Sequence, residues 1–168
     1  MKNAPLKLRY FLGMFAIMAL LVGSGCASMR ASSARTAYID QMTEKHVYNK
    51  PCEQVWPSAR NLLFMQGYRI NNTGEGANMT LETDWSFEQT GSTSNPQTTA
   101  SRYLTQAIAV GQEQCQVRFW RNERIDNRSM TSARDLGLEW RVLQEVDPSS
   151  AAQISQEAEM RANAAAQG

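Results

Sequence analysis

A chain of 168 residues with 17 Lys and Arg against 16 Asp and Glu has a net charge of +1 and the size of one domain with extra segments at its ends. No basic tract is present, which argues against a nucleic-acid partner held by charge. With one His and three Cys there is no HExxH, GxSxG or CxxC pattern, and Gly74-Glu75-Gly76 lacks the Lys-Ser/Thr of a phosphate loop.

Lys2, Lys7 and Arg9 open the chain with positive charge. Tyr10 to Val22 is apolar apart from Gly13, and the small residues Gly23, Ser24 and Gly25 lead to Cys26. These are the three zones of a secretory signal with its cleavage site. The apolar run falls short of the ~20 residues that a spanning helix needs. Removing residues 1–25 takes away three cations and no acid, so the net charge of the remainder is −2. Val22-Gly23-Ser24-Gly25-Cys26 resembles the lipobox of bacterial lipoproteins, with Gly23 where Leu is usual in that class. The resemblance implies a diacylglyceryl group on the Cys26 thiol, cleavage just before it, and a further acyl chain such as palmitate on the new amine. Two or three chains anchor firmly, whereas one, at about 0.8 kcal/mol per buried CH₂, holds only marginally. Ala27 and Ser28 follow, without the Asp that favours inner-membrane retention in that class. The expected location is therefore the outer membrane, facing the periplasm.

Residues 26–43 are expected to be the lipidated cysteine and a polar tether. Ser28, Arg30, Ser32, Ser33, Arg35 and Thr36 interrupt any apolar face, and Ala37, Tyr38, Ile39 and Met42 allow a short helix. The folded domain is placed at 44–146. His46-Val47-Tyr48 reads as a short strand and Asn49-Lys50-Pro51 as a turn. A helix follows, with Glu53 in its first turn, Val55, Ala59, Leu62 and Leu63 on one face, Pro57 as a kink or first-turn residue, and Gly67 as its stop. Tyr68-Arg69-Ile70 reads as a strand and 71–78 as a turn. Period-two alternation from Met79 to Glu88 assigns Met79, Leu81, Thr83, Trp85 and Phe87 to the core side of one strand. Residues 89–99, rich in Ser, Thr, Asn and Gln, read as a long connection. Arg102–Val110 and Gln114–Arg121 read as strands joined by a turn at 111–113, the second with Cys115, Val117 and Phe119 on one face. Leu136, Trp140, Leu143 and Val146 form a helical stripe, and Asp147-Pro148 restarts a helix over the tail 147–168. The order predicts the α+β class, a small antiparallel sheet packed by one helix, with C-terminal helices.

Once Cys26 carries lipid, Cys52 and Cys115 remain, and an even remainder in an oxidising compartment favours a disulfide over two separate thiols. No catalytic constellation, metal site or cofactor site is expected. His46 stands alone and reads as structural. Glu82 and Asp84, two residues apart on a strand, read as a solvated face rather than a glycosidase pair. Trp56, Trp85 and Trp140 lie on apolar stripes and are expected in the core. Trp120 falls on the strand face opposite Val117 and Phe119, with Arg118 and Arg121 beside it. These three residues are the candidate contact for a protein partner or for peptidoglycan.

Val55-Trp56-Pro57, Leu62-Leu63, Gly67-Tyr68 and the strand from Met79 to Trp85 resemble the domains of a lipoprotein component of the outer-membrane barrel assembly machinery. The resemblance covers residues 46–87, rests on fold residues and implies a non-enzymatic accessory role. The expectation is a membrane-anchored structural or protein-interaction module with an unidentified envelope protein as partner. The alternatives are a periplasmic ligand-binding module, its sheet cradling an apolar molecule beneath 89–99, and an envelope hydrolase.

Overall fold

The computed structural model describes residues 27–74, 78–92, 95–126 and 130–167; the signal-like run and Cys26 lie outside the described residues. Two compact units are present. Among the described residues, one is made of 27–39 together with 154–167, and the other lies within Asp40–Gln153.

The first unit is a pair of helical segments. Helix α1 covers 27–45, where a polar tether was expected. The physical reason is an alanine stripe among the polar residues. Ala27, Ala31, Ala34 and Tyr38 recur at helical spacing and are the least exposed positions of their stretch, while the serines and arginines between them stay in water. The partner segment belongs to α4, Pro148–Gln167, in which Ile154, Ala158 and Ala162 are buried at the same spacing. The Tyr38 hydroxyl donates to Glu157, the Arg161 guanidinium lies 4.2 Å from the Tyr38 ring centre, and Arg35 pairs with Glu159. The hydrogen bond to Glu157 is the main reason the Tyr38 phenol is held above its ordinary pKa.

The second unit is an antiparallel sheet with two helices on one face. Its elements are α2 (Cys52–Met65), β1 (Ile70–Gly74), β2 (Asn78–Thr83), β3 (Ser86–Ser92), β4 (Asn95–Gly111), β5 (Gln114–Ile125), β6 (Thr131–Arg134) and α3 (Leu136–Val146). The strand order is β1-β2-β4-β5-β6, and β3 pairs with the first half of the long β4. The α+β class is therefore as expected, with α2 and α3 both packed on the sheet. Val55, Ala59, Leu62 and Leu63 of α2 and Leu138, Val142 and Leu143 of α3 are buried. They face a sheet side built from Leu81, Tyr103, Ala107, Val117 and Phe119, all buried. Helix α2 ends as its sequence suggests. Gly67 has φ +84°, its N–H donates to the Phe64 carbonyl, and the Tyr68 N–H reaches back to Leu63. This double bond is the Schellman arrangement, which a left-handed glycine makes possible. Helix α3 starts at Asp135, whose carboxylate accepts from the Leu138 N–H at 3.0 Å.

Three local readings are corrected. His46-Val47-Tyr48 is not a strand: Tyr48 alone bridges to Cys115, through two backbone hydrogen bonds of 2.8 and 3.1 Å. Residues 89–92 and 95–99 are not part of a long connection. They fall within a hairpin in which Glu88 faces Thr99, Gln89 faces Thr98 and Thr90 faces Gln97. Third, the run from Met79 to Glu88 is two strands, not one. Glu82 pairs with Leu104, while Ser86 pairs with Ser101. Three residues on one side thus oppose two on the other, which is a β-bulge at Asp84-Trp85. Since side chains alternate with period two, one extra residue moves everything after it to the opposite face. Leu81 and Thr83 remain in the core at 1% exposure, whereas Phe87 is 63% exposed. Two backbone donors at the bulge find partners there. The Asp84 N–H donates to the Arg69 carbonyl, and the Thr83 hydroxyl accepts the Tyr103 N–H at 2.9 Å.

Candidate functional site

Cys52 opens α2 and Cys115 is the second residue of β5. They form a disulfide with Cα atoms 5.0 Å apart, joining the helix layer to the sheet. Both are buried. The backbone bridge from Tyr48 lands on Cys115 as well, so one residue anchors the chain entering α2 twice.

The free edge of β5 between that bridge and β6 is closed by side chains. Glu139 of α3, 2% exposed, accepts the Phe119 N–H at 3.0 Å, while the Asp135 N–H donates to the Phe119 carbonyl. Arg134 grips the same carboxylate with two nitrogens, each at 2.8 Å, and also donates to the Glu44 carbonyl. Burial raises the Glu139 pKa, opposed by the Arg134 hydrogen bond and the Phe119 N–H. The acid and its arginine thus act as structural substitutes for a strand partner. His46 packs edge-on against Tyr48 at 4.6 Å, its Nε2 buried without a hydrogen-bond partner, and burial holds it below its usual pKa. It is a packing residue. At the start of α4, Asp147 accepts from the hydroxyls of Ser150 and Ser149 and the Ser150 N–H, which lowers its pKa to about 2.

The sheet face turned away from α2 and α3 carries the even-numbered residues of β4 and β5. In successive cross-strand rows stand Gln106 beside Arg118, Leu104 beside Trp120, Arg102 beside Asn122, and Ala100 beside Arg124. The bulge adds Trp85 to this face. Its ring lies 4.8 Å from the Arg102 guanidinium and 4.5 Å from that of Arg124, so residues of β4, β5 and the bulge form one arginine–tryptophan clamp. Arg102 also pairs with Glu82. Arg118 donates to Gln116 at 2.8 Å. Ala100, small enough to lie beneath these large side chains, is 2% exposed.

The candidate contact residues divide between the two faces. Arg118 and Trp120 share the helix-free face, but Trp120 is half-buried rather than prominent. Arg121 lies on the other face near Glu123, at 3.5 Å, where it lines a cleft of about 460 Å³ with Asp40, Arg134 and Asp135. Trp56 and Trp140 are also half-buried, at the border of the core rather than within it. Alternation within β5 is enough to place Arg118 with Trp120. Arg102, Arg124 and Trp85 escape a reading strand by strand, since only pairing brings them together. Glu82 and Asp84 are separated in role, the first bound to Arg102 and the second in the bulge.

Among the described residues no group of three or more His, Cys, Asp or Glu is placed to hold a metal ion, and no helix is long and apolar enough to cross a membrane. No protein-family profile matches the chain, and no curated protein matches it.

Proposed function

We infer that this chain is a lipid-anchored lipoprotein facing the periplasm, most consistent with the outer membrane, whose Asp40–Gln153 unit is a non-enzymatic interaction module. The anchor rests on the succession of positive, apolar and small residues before Cys26. A Cys52–Cys115 disulfide suits an oxidising compartment. The observation that carries the interaction role is the helix-free sheet face, where Trp120, Leu104, Trp85 and three arginines gather on strands whose other face packs against α2 and α3. An accessory role in the envelope agrees with the resemblance over residues 46–87 to a lipoprotein of the barrel assembly machinery.

The ligand-binding alternative places an apolar molecule beneath 89–99, and of these residues 89–92 are paired with 95–98 in a hairpin. The test has two arms. Cys26→Ser should abolish acyl labelling and release the protein from the membrane fraction; an unlabelled wild type that stays membrane-bound overturns the anchor. A photo-crosslinking amino acid in place of Trp120 should capture one discrete envelope protein in living cells, whereas the same substitution at exposed Arg60 of α2 should not. Equal capture at both positions overturns the assignment of this face.

A further inference from the structure

We propose that the helix-free sheet face docks an extended acidic segment of a partner protein, its carboxylates meeting Arg118 and Arg124 and its apolar side chains covering Trp120 and Leu104. This rests on the interaction reading above and names the chemistry of the partner.

Charge is the first ground. Glu82 is the acid on this face within β2, β4 and β5, and it is committed to Arg102. Arg118 and Arg124 have no ion pair within reach among the described residues. Arg118 does lie near enough to Glu139 to lower its pKa, but that carboxylate is already held by both nitrogens of Arg134. The Nε atoms of Arg102, Arg118 and Arg124 are buried and lack an acceptor. Arg118 donates one Nη to Gln116 and Arg124 stacks on Trp85, so each guanidinium is held on the face by neutral groups, and its charge is left for an outside anion.

Geometry selects the kind of anion. Arg118 and Arg124 lie on the same strand and the same face, with Trp120 and Asn122 between them. Six residues of strand separate the two cations by about 20 Å. A phosphodiester polymer carries a charge every few ångströms, about 3.4 Å per strand in duplex DNA, so two uncommitted cations over this span are too sparse to match it. An extended polypeptide has the same rise per residue as the strand beneath it. A segment with carboxylates six residues apart and an apolar residue between them reproduces the pattern of cation, indole, amide and cation. Arginine is also the suitable donor. Its planar fork meets a carboxylate with two parallel hydrogen bonds, and the Trp85 ring already fixes the position of Arg124.

The full chain carrying Cys26→Ser, in detergent, is titrated with fluorescent peptides that hold two Glu six residues apart and Leu between them. The wild type should bind, and replacing both Glu by Gln should weaken binding about tenfold. Arg118→Glu/Arg124→Glu should weaken binding more than tenfold, since it removes two part-exposed pairs and sets like charges opposite each other. The same variant should bind the peptide with Lys in place of Glu. Arg118→Gln/Arg124→Gln should weaken binding about tenfold with an unchanged melting curve, which covers the case in which charge reversal unfolds the domain. Arg60→Glu/Arg69→Glu, in α2 and just before β1, should bind like the wild type. The proposal is overturned by a wild type that binds no acidic peptide, or by an equal loss in the Arg60/Arg69 variant. It is also overturned if a sulfated glycan, single-stranded DNA or phosphatidylglycerol vesicles bind through Arg118 and Arg124 more tightly than the peptide. Crosslinking at Trp120 in cells without any peptide binding would defeat this proposal and leave the interaction role standing.

Discussion

Removing the Cys52–Cys115 bridge should lower stability by an amount that can be worked from its place in the chain. The two cysteines are 63 residues apart, and the ring they close contains α2 and strands β1 to β4. Most of the sheet is thus tethered to the helix that covers it. In the chain-entropy treatment, a ring of 63 residues costs the unfolded state about 4 kcal/mol of conformational freedom at 25 °C. For a domain of this size that corresponds to a fall of about 15 °C in Tm. Replacing both cysteines by Ala in a Cys26→Ser background isolates the effect. Differential scanning calorimetry should show the drop, and a reductant should shift the parent to the position of the variant without moving the variant itself. Alkylation before and after reduction verifies the thiol count. If both thiols react only after reduction and the transition still moves by less than about 3 °C, the entropic reasoning fails. If both react without reduction, the bridge does not form.

Three other outcomes follow from the packing. Arg134→Ala should cost about 3–5 kcal/mol in urea unfolding, because it leaves the Glu139 carboxylate buried and unpaired. Burial already raises the Glu139 pKa, so the deficit should shrink as acid protonates that carboxyl, and a loss under 1 kcal/mol at neutral pH would contradict the edge-closing role. His46 is held below its usual pKa of 6.5, so the folded state binds fewer protons, and its contribution is present above pH 6.5 and lost as pH falls through the lowered value. His46→Phe should flatten that part of the stability profile between pH 7.5 and 5, and an unchanged slope would rule out His46 as its source. Gly67→Ala should cost about 1–2 kcal/mol through its φ of +84°, since no heavy atom lies within 4 Å of the added Cβ; an unchanged denaturation midpoint would contradict this.

Local patterns were sufficient wherever a neighbour in sequence decides the outcome. The stripe Val55, Ala59, Leu62, Leu63, the stop at Gly67, the turn at 111–113 and the restart at Asp147-Pro148 are all properties of one helix or one turn. The disulfide was legible for a different reason, namely that two cysteines remain once Cys26 is set apart. Helix α1 was partly legible, but its stripe is made of alanines, which a search for large apolar residues passes over.

The helix-free face depended on tertiary structure. Residues 79–88 alternate as one strand would, and nothing in that alternation marks Asp84-Trp85 as the place where the phase changes. The change is imposed by β4, which offers two residues where β2 and β3 bring three. Pairing with β4 therefore decides that Leu81 is core and Phe87 is not, and it carries Trp85 across to Arg102 and Arg124. By itself the sequence determined which side chains alternate within a strand, because that is set by the backbone's own period of two. Which strands lie side by side, and with what offset, is a matter of hydrogen bonds between segments far apart in the chain, and only the folded sheet decides it.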